Sequence, residues 1–211
     1  MSLRLAIGVM AKAPVAGEVK TRLLPVLGPE AAAALHRRLT LQTLATADHA
    51  APGQVHLFMA GDPGHPFWQD CGAVPPSQRH RQCEGDLGAR MLAALEHLLV
   101  DAEAALLIGG DCPVLSPGHL DAAGRALATA DMVFIPAEDG GYVLVGARRL
   151  HAAAFRGIAW STATVMAETR VALSACGLEA GKGWAEFPAL WDIDRPDDHA
   201  RAVREGLLPE G

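Results

Sequence analysis

The sequence predicts an α/β fold in which a largely parallel sheet is covered by helices on both faces. Three observations predict it. Apolar runs of strand length stand at residues 5–10, 55–59, 105–108, 132–135 and 142–145. Stretches of helical period lie between them, an alternation that favours βαβ units. Helix start signals sit where those stretches begin: Gly28-Pro29-Glu30, Asp86, Ser116-Pro117 and Ser161.

Each element has a local reason. Pro29 at an initial helical position and Glu30 in the first turn open the first helix, with Leu35, His36 and Leu39 at near-helical spacing. Asp86 is placed to cap a second helix, in which Leu87, Met91, Leu95 and Leu98 mark one face. Ser116-Pro117 starts a third; Ser161 is expected to cap a fourth, with Gly177 as its stop. Residues 62–76 are rich in Pro and Gly and form an irregular excursion, where Phe67 and Trp68 are expected to pack the loop down. A length of 211 residues suits one domain, 1–211, and half the residues are hydrophobic, enough for a full core.

Composition excludes several classes. A net charge of -6 with scattered basic residues argues against nucleic acid as a partner. No apolar stretch is long enough to span a bilayer, and no basic region precedes an apolar run and cleavage site, so a cytoplasmic location is expected. The terminal Met1-Ser2-Leu3 and Glu210-Gly211 are assigned no function. Cys71, Cys83, Cys112 and Cys176 form no Cys-x-x-Cys pair and read as reduced thiols. No His stands at zinc-finger spacing from them and none of the nine forms HExxH, so no structural zinc and no catalytic His is expected.

The chemistry concentrates in six segments. The loop after the first apolar run holds Lys12, Lys20 and Arg22 around Pro14 and Gly17. A basic loop at the carboxyl end of a first strand suits phosphate oxygens. Lys20 and Arg22 are expected to face a cleft with little core contact. In Gly109-Gly110-Asp111-Cys112-Pro113 a carboxylate ends an apolar strand on that same rim. It can hold Mg²⁺, which takes one or two protein carboxylates, or simply cap a turn before Pro113. Asp192 and Asp194 are two apart and point the same way in an extended segment; the alternative is an acidic turn with Asp194 or Asp197 capping the last helix. Asp139-Gly140-Gly141 reads equally as a hairpin turn and as a surface for an acceptor, with Asp139 accepting from a hydroxyl. In Gly85-Asp86-Leu87-Gly88-Ala89-Arg90 the glycines allow a base or ribose close approach and Arg90 reaches toward phosphates, beside plain capping by Asp86. Trp160-Ser161-Thr162 precedes a helix N-terminus, with Trp160 expected in the core.

Taken in order, these segments resemble the bacterial nucleotide-diphospho-sugar transferase-like family, grouped with GT-A-type glycosyltransferases. That family shares its fold with the molybdenum-cofactor and 2-phospho-lactate guanylyltransferases. The resemblance rests on Ala-Lys-Ala-Pro…Gly-x-x-Lys-Thr-Arg-Leu, Gly-Asp-Leu-Gly-x-Arg-Met, Gly-Gly-Asp-Cys-Pro, Asp-Gly-Gly-Tyr, Trp-Ser and Asp-Ile-Asp-x-Pro. It implies a three-layer α/β/α sandwich of GT-A type with a mostly parallel mixed sheet. By position it implies Lys12, Lys20 and Arg22 on phosphates, and Gly85, Asp86 and Arg90 beside the nucleotide. Asp139, Gly140 and Gly141 would border the acceptor. Asp111 would be a metal ligand, completed by Asp194, for Mg²⁺ or Mn²⁺; the spacing of the residues keeps Asp192 as a further candidate ligand. Lys20, Asp111 and Asp139 would carry catalysis. The chain lacks the Asp-x-Asp of many glycosyltransferases and the Gly-Gly-x-Ser-x-Arg-Met-Gly loop of many pyrophosphorylases.

The expected activity is Mg²⁺-dependent transfer to a small-molecule acceptor from a nucleotide-sugar. The alternatives are nucleotidyl transfer from a nucleoside triphosphate with release of pyrophosphate, and a non-catalytic nucleotide-binding module.

Overall fold

The computed structural model describes residues 3–208; the terminal residues 1, 2 and 209–211 lie outside the described residues. The chain runs β1 (Leu5–Lys12), α1 (Leu24–Ala50), β2 (Val55–Ala60), α2 (Phe67–Asp70), β3 (Arg79–Arg81), α3 (Leu87–Leu98), β4 (Ala104–Gly109), α4 (Pro117–Ala126), β5 (Met132–Pro136), β6 (Tyr142–Ala147), α5 (Val165–Ala175), β7 (Trp184–Glu186) and α6 (Pro196–Arg204). The seven strands form one sheet in the order β3-β2-β1-β4-β6-β5-β7. Every neighbour pair is parallel except those of β6, which runs against both β4 and β5. The carboxyl ends of β1, β4 and β5 therefore meet the amino end of β6 on one rim.

Alternation along the strands builds two cores. Ile7, Val9, Leu106, Ile108, Val133 and Ile135 face the side covered by α1 and α4. Ala105, Leu107, Met132, Phe134 and Val145 face the side covered by α3 and α5. Successive strand side chains point to opposite faces, and here both faces are covered, which is why these strands read as continuous apolar runs. Burying each Leu or Phe contributes about 1.5–3 kcal/mol relative to leaving it in water. A third cluster of Leu23, Leu35, Leu39, Trp191, Ile193 and Ala202 packs α6 and the segment before it against α1 and the turn that precedes it. Among the described residues no helix is long and apolar enough to cross a membrane.

The local signals fare unevenly. Asp86 Oδ1 accepts from the Ala89 N–H at 2.8 Å, and Ser116 caps α4. Gly177 follows α5 with φ 78 and ends it. Phe67 and Trp68 are buried, as expected for the 62–76 excursion. The 139–141 turn does connect an antiparallel pair, β5 and β6. Pro29 opens the long helical run as expected, because Gly28 lies outside helical geometry, although a separate helical turn already forms at residues 24–27. Two expectations fail. Ser161 does not cap α5, because its φ of 66 turns it away and Thr164 takes the N-cap position. At α6 neither Asp194 nor Asp197 caps; Asp198 instead accepts from the N–H groups of Asp194 and Arg195.

Candidate active site

The carboxyl rim opens into a cleft with two adjoining cavities, of about 460 Å³ and 330 Å³, which share Leu87, Met91, Asp111 and Tyr142. The first brings together Lys20, Arg22, Asp111, Asp139, Gly141, Asp192 and Asp194. The second adds Lys12 and Arg90. Residues separated by most of the chain thus meet because β1, β4, β5 and the segment before α6 end on the same edge. The Ile193 N–H donates to the Asp111 carbonyl at 3.0 Å, which ties that last segment to the end of β4.

Gly85, Asp86 and Gly140 line neither cavity. Asp86 is committed to capping α3. Gly140 turns against α5, and its carbonyl accepts from Met166 N–H at 2.9 Å. Lys12 is held aside by Glu18, whose carboxylate lies 3.2 Å from its Nζ.

Lys20 corrects the expectation of little core contact. Its side chain is 5% exposed, its φ is 48, and its Nζ donates to Asp111 Oδ2 at 3.1 Å. Lys20 and Ser161 are the two non-glycine residues with positive φ among those described, and both line the first cavity. Such backbone costs roughly 1–3 kcal/mol and persists where the surroundings impose it. Arg22, by contrast, is half-exposed and pairs with Asp194.

The carboxylates are not equivalent. Burial works to raise the Asp111 carboxyl, but the Lys20 charge and hydrogen bond outweigh it and hold Asp111 below the usual carboxylate range. Asp192 goes the other way. Burial first, then the charges of Asp111 and Asp139, push it up to about 7, with Lys20 offsetting only part. An acid buried beside two other carboxylates is short of positive charge. That donor set of hard oxygens fits Mg²⁺ or Mn²⁺, held by one or two carboxylates. Among the described residues Asp111, Asp192 and Asp194 do not close as a triad to within 4.8 Å, and Arg22 engages Asp194. Lys20 likewise engages Asp111, so Asp192 is the one of the three carboxylates without an ion-pair partner among the described residues.

Three lining residues escape the sequence reading. His36 Nε2–H donates to the Lys12 carbonyl at 3.0 Å, leaving Nδ1 buried without a partner. Burial lowers its pKa, so the ring is held neutral. The Tyr142 hydroxyl and the Trp160 indole N–H are likewise buried and unpaired. Trp160 is half-buried on the cavity wall rather than fully in the core, and it packs on Gly88, where an added Cβ would meet the indole at 2.6 Å. The only sequence signals were a His on a helix face and an aromatic before a polar turn. The free thiols of Cys71 and Cys112 are buried, which pushes them up to about 11 and about 12 and keeps them unreactive.

Solved structures share this architecture. A protein from Desulfovibrio desulfuricans G20, provisionally named a nucleotide-diphospho-sugar transferase, superposes with a TM-score of 0.84 at 28% identity, over 98% of this chain and 88% of that one. A nucleotidyl transferase from Methanothermobacter thermautotrophicus gives 0.61 at 15% identity, covering 97% and 98%. The 4-diphosphocytidyl-2C-methyl-D-erythritol synthase of Anaerococcus prevotii DSM 20548 gives 0.60 at 12%, covering 96% and 99%. The last two show the fold alone. Comparison with curated protein sequences finds no significant match. The fold is that of the nucleotide-diphospho-sugar transferases. Residues 43–162, more than half of the chain, match the profile of the family described as "Uncharacterized protein conserved in bacteria (DUF2064)", and the protein belongs to that family.

Proposed function

We propose that the protein is a metal-dependent transferase that takes a nucleotide-sugar donor and passes the sugar to a small hydroxyl-bearing acceptor. One observation carries this: Asp111, Asp139 and Asp192 line one cavity, where burial, reinforced by the charges of Asp111 and Asp139, pushes Asp192 up to about 7. Asp111 and Asp192 would hold Mg²⁺ or Mn²⁺, which when bound supplies charge neutralisation for a diphosphate leaving group. Lys20 fixes the Asp111 carboxylate, and Arg22 and Arg90 offer charged donors to phosphate oxygens. Asp139 is exposed, and only its Oδ1 is used, by the Gly141 N–H at 3.0 Å. Its second oxygen is available to take a proton from an attacking hydroxyl. Trp160 and Tyr142 form an apolar wall that shields the reacting centre from water.

Nucleotidyl transfer from a nucleoside triphosphate is the second reading, favoured by the opening of Lys20 and Arg22 onto the cavity. It would also need a cationic patch for an acceptor phosphate. Lys20 and Arg22 are the cations among the described residues of that cavity, and each already pairs with a carboxylate.

Product analysis separates the readings. A panel of nucleotide-sugars and nucleoside triphosphates with Mg²⁺ and simple acceptors should yield nucleoside diphosphate from a nucleotide-sugar. Asp139→Asn should lose that product while still binding donor. Pyrophosphate release insensitive to Asp139→Asn would replace glycosyl by nucleotidyl transfer. Binding with neither product would favour a nucleotide-binding module.

A further inference from the structure

On the face of the sheet covered by α3, three histidines from three elements converge. His56 is the second residue of β2, so the cluster lies toward the amino end of that strand, away from the cleft. Phe58, two residues on, points to the same face, and His80 of β3 is its register partner. His97 comes from the last turn of α3. His56 Nδ1 and His80 Nε2 are 3.0 Å apart, the His80 and His97 rings are 4.1 Å apart, and one nitrogen of each ring lies within 4.8 Å of the others.

We propose that His56, His80 and His97 form a binding site for a borderline-soft divalent cation of the Zn²⁺ class. Three imidazole nitrogens are a common ligand set for such ions, with the remaining position left to water. For M–N bonds of 2.0–2.1 Å, tetrahedral geometry separates two ligand nitrogens by roughly 3.3 Å. The His56–His80 pair is already close to that spacing. Exposed His97 at a helix end needs only a side-chain adjustment.

The chemistry of the three rings agrees with the geometry. His56 and His80 are half-buried, and in the 3.0 Å contact between them one ring nitrogen donates to the other, a proton that a bound ion would displace. The Asp101 carboxylate acts on His56 and supplies compensating negative charge nearby. A bound ion would staple the C-terminal end of α3 to the two outer strands β2 and β3. The N-terminal half of that helix carries Arg90 and Met91 into the cleft. Imidazole nitrogen here and carboxylate oxygen in the cleft sort soft from hard cations, so the two sites need not compete.

The test uses the untagged full chain, stripped with chelator and kept in excess Mg²⁺ so that the carboxylates are occupied. Zinc titrated by calorimetry should bind with one equivalent, and Co²⁺ should give a visible absorption of low-coordinate nitrogen ligation. His97→Ala, at an exposed position that leaves the fold intact, and His80→Gln should each weaken zinc binding by more than about tenfold, since even an outer-shell partner is worth that much. The zinc-induced rise in melting temperature should vanish with it. Asp111→Asn should keep the zinc equivalent. No zinc binding, binding unchanged in both His variants, or loss in Asp111→Asn alone would overturn the site.

Discussion

Lys20 Nζ lies 3.1 Å from Asp111 Oδ2 across 91 residues of chain, and the two partners are unequally wet: the Lys20 side chain is 5% exposed and that of Asp111 is 38% exposed. The asymmetry decides what each substitution does. Removing the carboxylate strands a nearly buried ammonium, whereas removing the ammonium leaves a carboxylate that water can still reach.

Asp111→Asn is therefore expected to cost about 1–3 kcal/mol of stability, the cost of a buried charged group left unpaired. Lys20→Met, which keeps the buried stem, should cost less than Asp111→Asn, because the carboxylate left behind is the partner that water still reaches. In urea titrations the double variant should be more stable than Asp111→Asn alone. Equal costs for the two single variants would mean that burial, not pairing, sets the energetics at this position.

Arg90 separates binding from stability. Its guanidinium makes one long contact, Nε to the Asp86 carbonyl at 3.3 Å, and lines the second cavity. Arg90→Ala should leave the melting temperature nearly unchanged and weaken Mg-nucleotide binding by roughly tenfold, the loss of about one charge-assisted hydrogen bond. Unchanged nucleotide affinity in calorimetry would place the phosphates elsewhere in the cleft.

The contrast between Lys20 and Arg90 shows what the sequence can carry. Strands β1, β2, β4, β5 and β6 were legible because both faces are buried and the residues read as apolar runs. The caps Asp86 and Ser116 were legible because capping is local. Strands β3 and β7, three residues each, carry no alternation to detect. The rim itself was legible from where apolar runs give way to Gly, Lys and Asp. Its detail was not: whether Lys20 lies in water or under Asp111 depends on a contact 91 residues away. The same holds for the three histidines, whose spacing in the chain matches no motif. Neutral His36, read only as part of a helix face, acquires its state from burial.

Gly140 tests how the acceptor-side turn is held. Its φ is 94, and an added Cβ would stand 2.1 Å from the Ala163 carbonyl oxygen. Backbone against backbone cannot be relieved by a rotamer change. Gly140→Ala should cost about 1–3 kcal/mol through strain, and more if the turn must move off α5. Because Asp139 is the adjacent residue, turnover should fall further than donor affinity. A variant with wild-type stability and turnover would show that the turn does not position Asp139.

His36 provides a pH readout. Burial is the largest influence on its pKa and lowers it, against the opposing hydrogen bond to the Lys12 carbonyl. Between its depressed folded value and the ordinary value near 6.5, the unfolded chain binds the proton and the folded chain does not. The contribution is therefore fully present above about pH 6.5 and is lost as pH falls below it. Asp192, pushed up to about 7, works in the opposite direction over the same range, so the readout is the difference between the urea midpoints of wild type and a His36 variant from pH 7.5 downward, the His36 part of which should decline. His36→Gln retains an N–H for Lys12 but cannot titrate, so it should lack that decline while its stability at pH 7.5 stays close to wild type. Parallel pH profiles for the two proteins would assign the acid sensitivity to other groups.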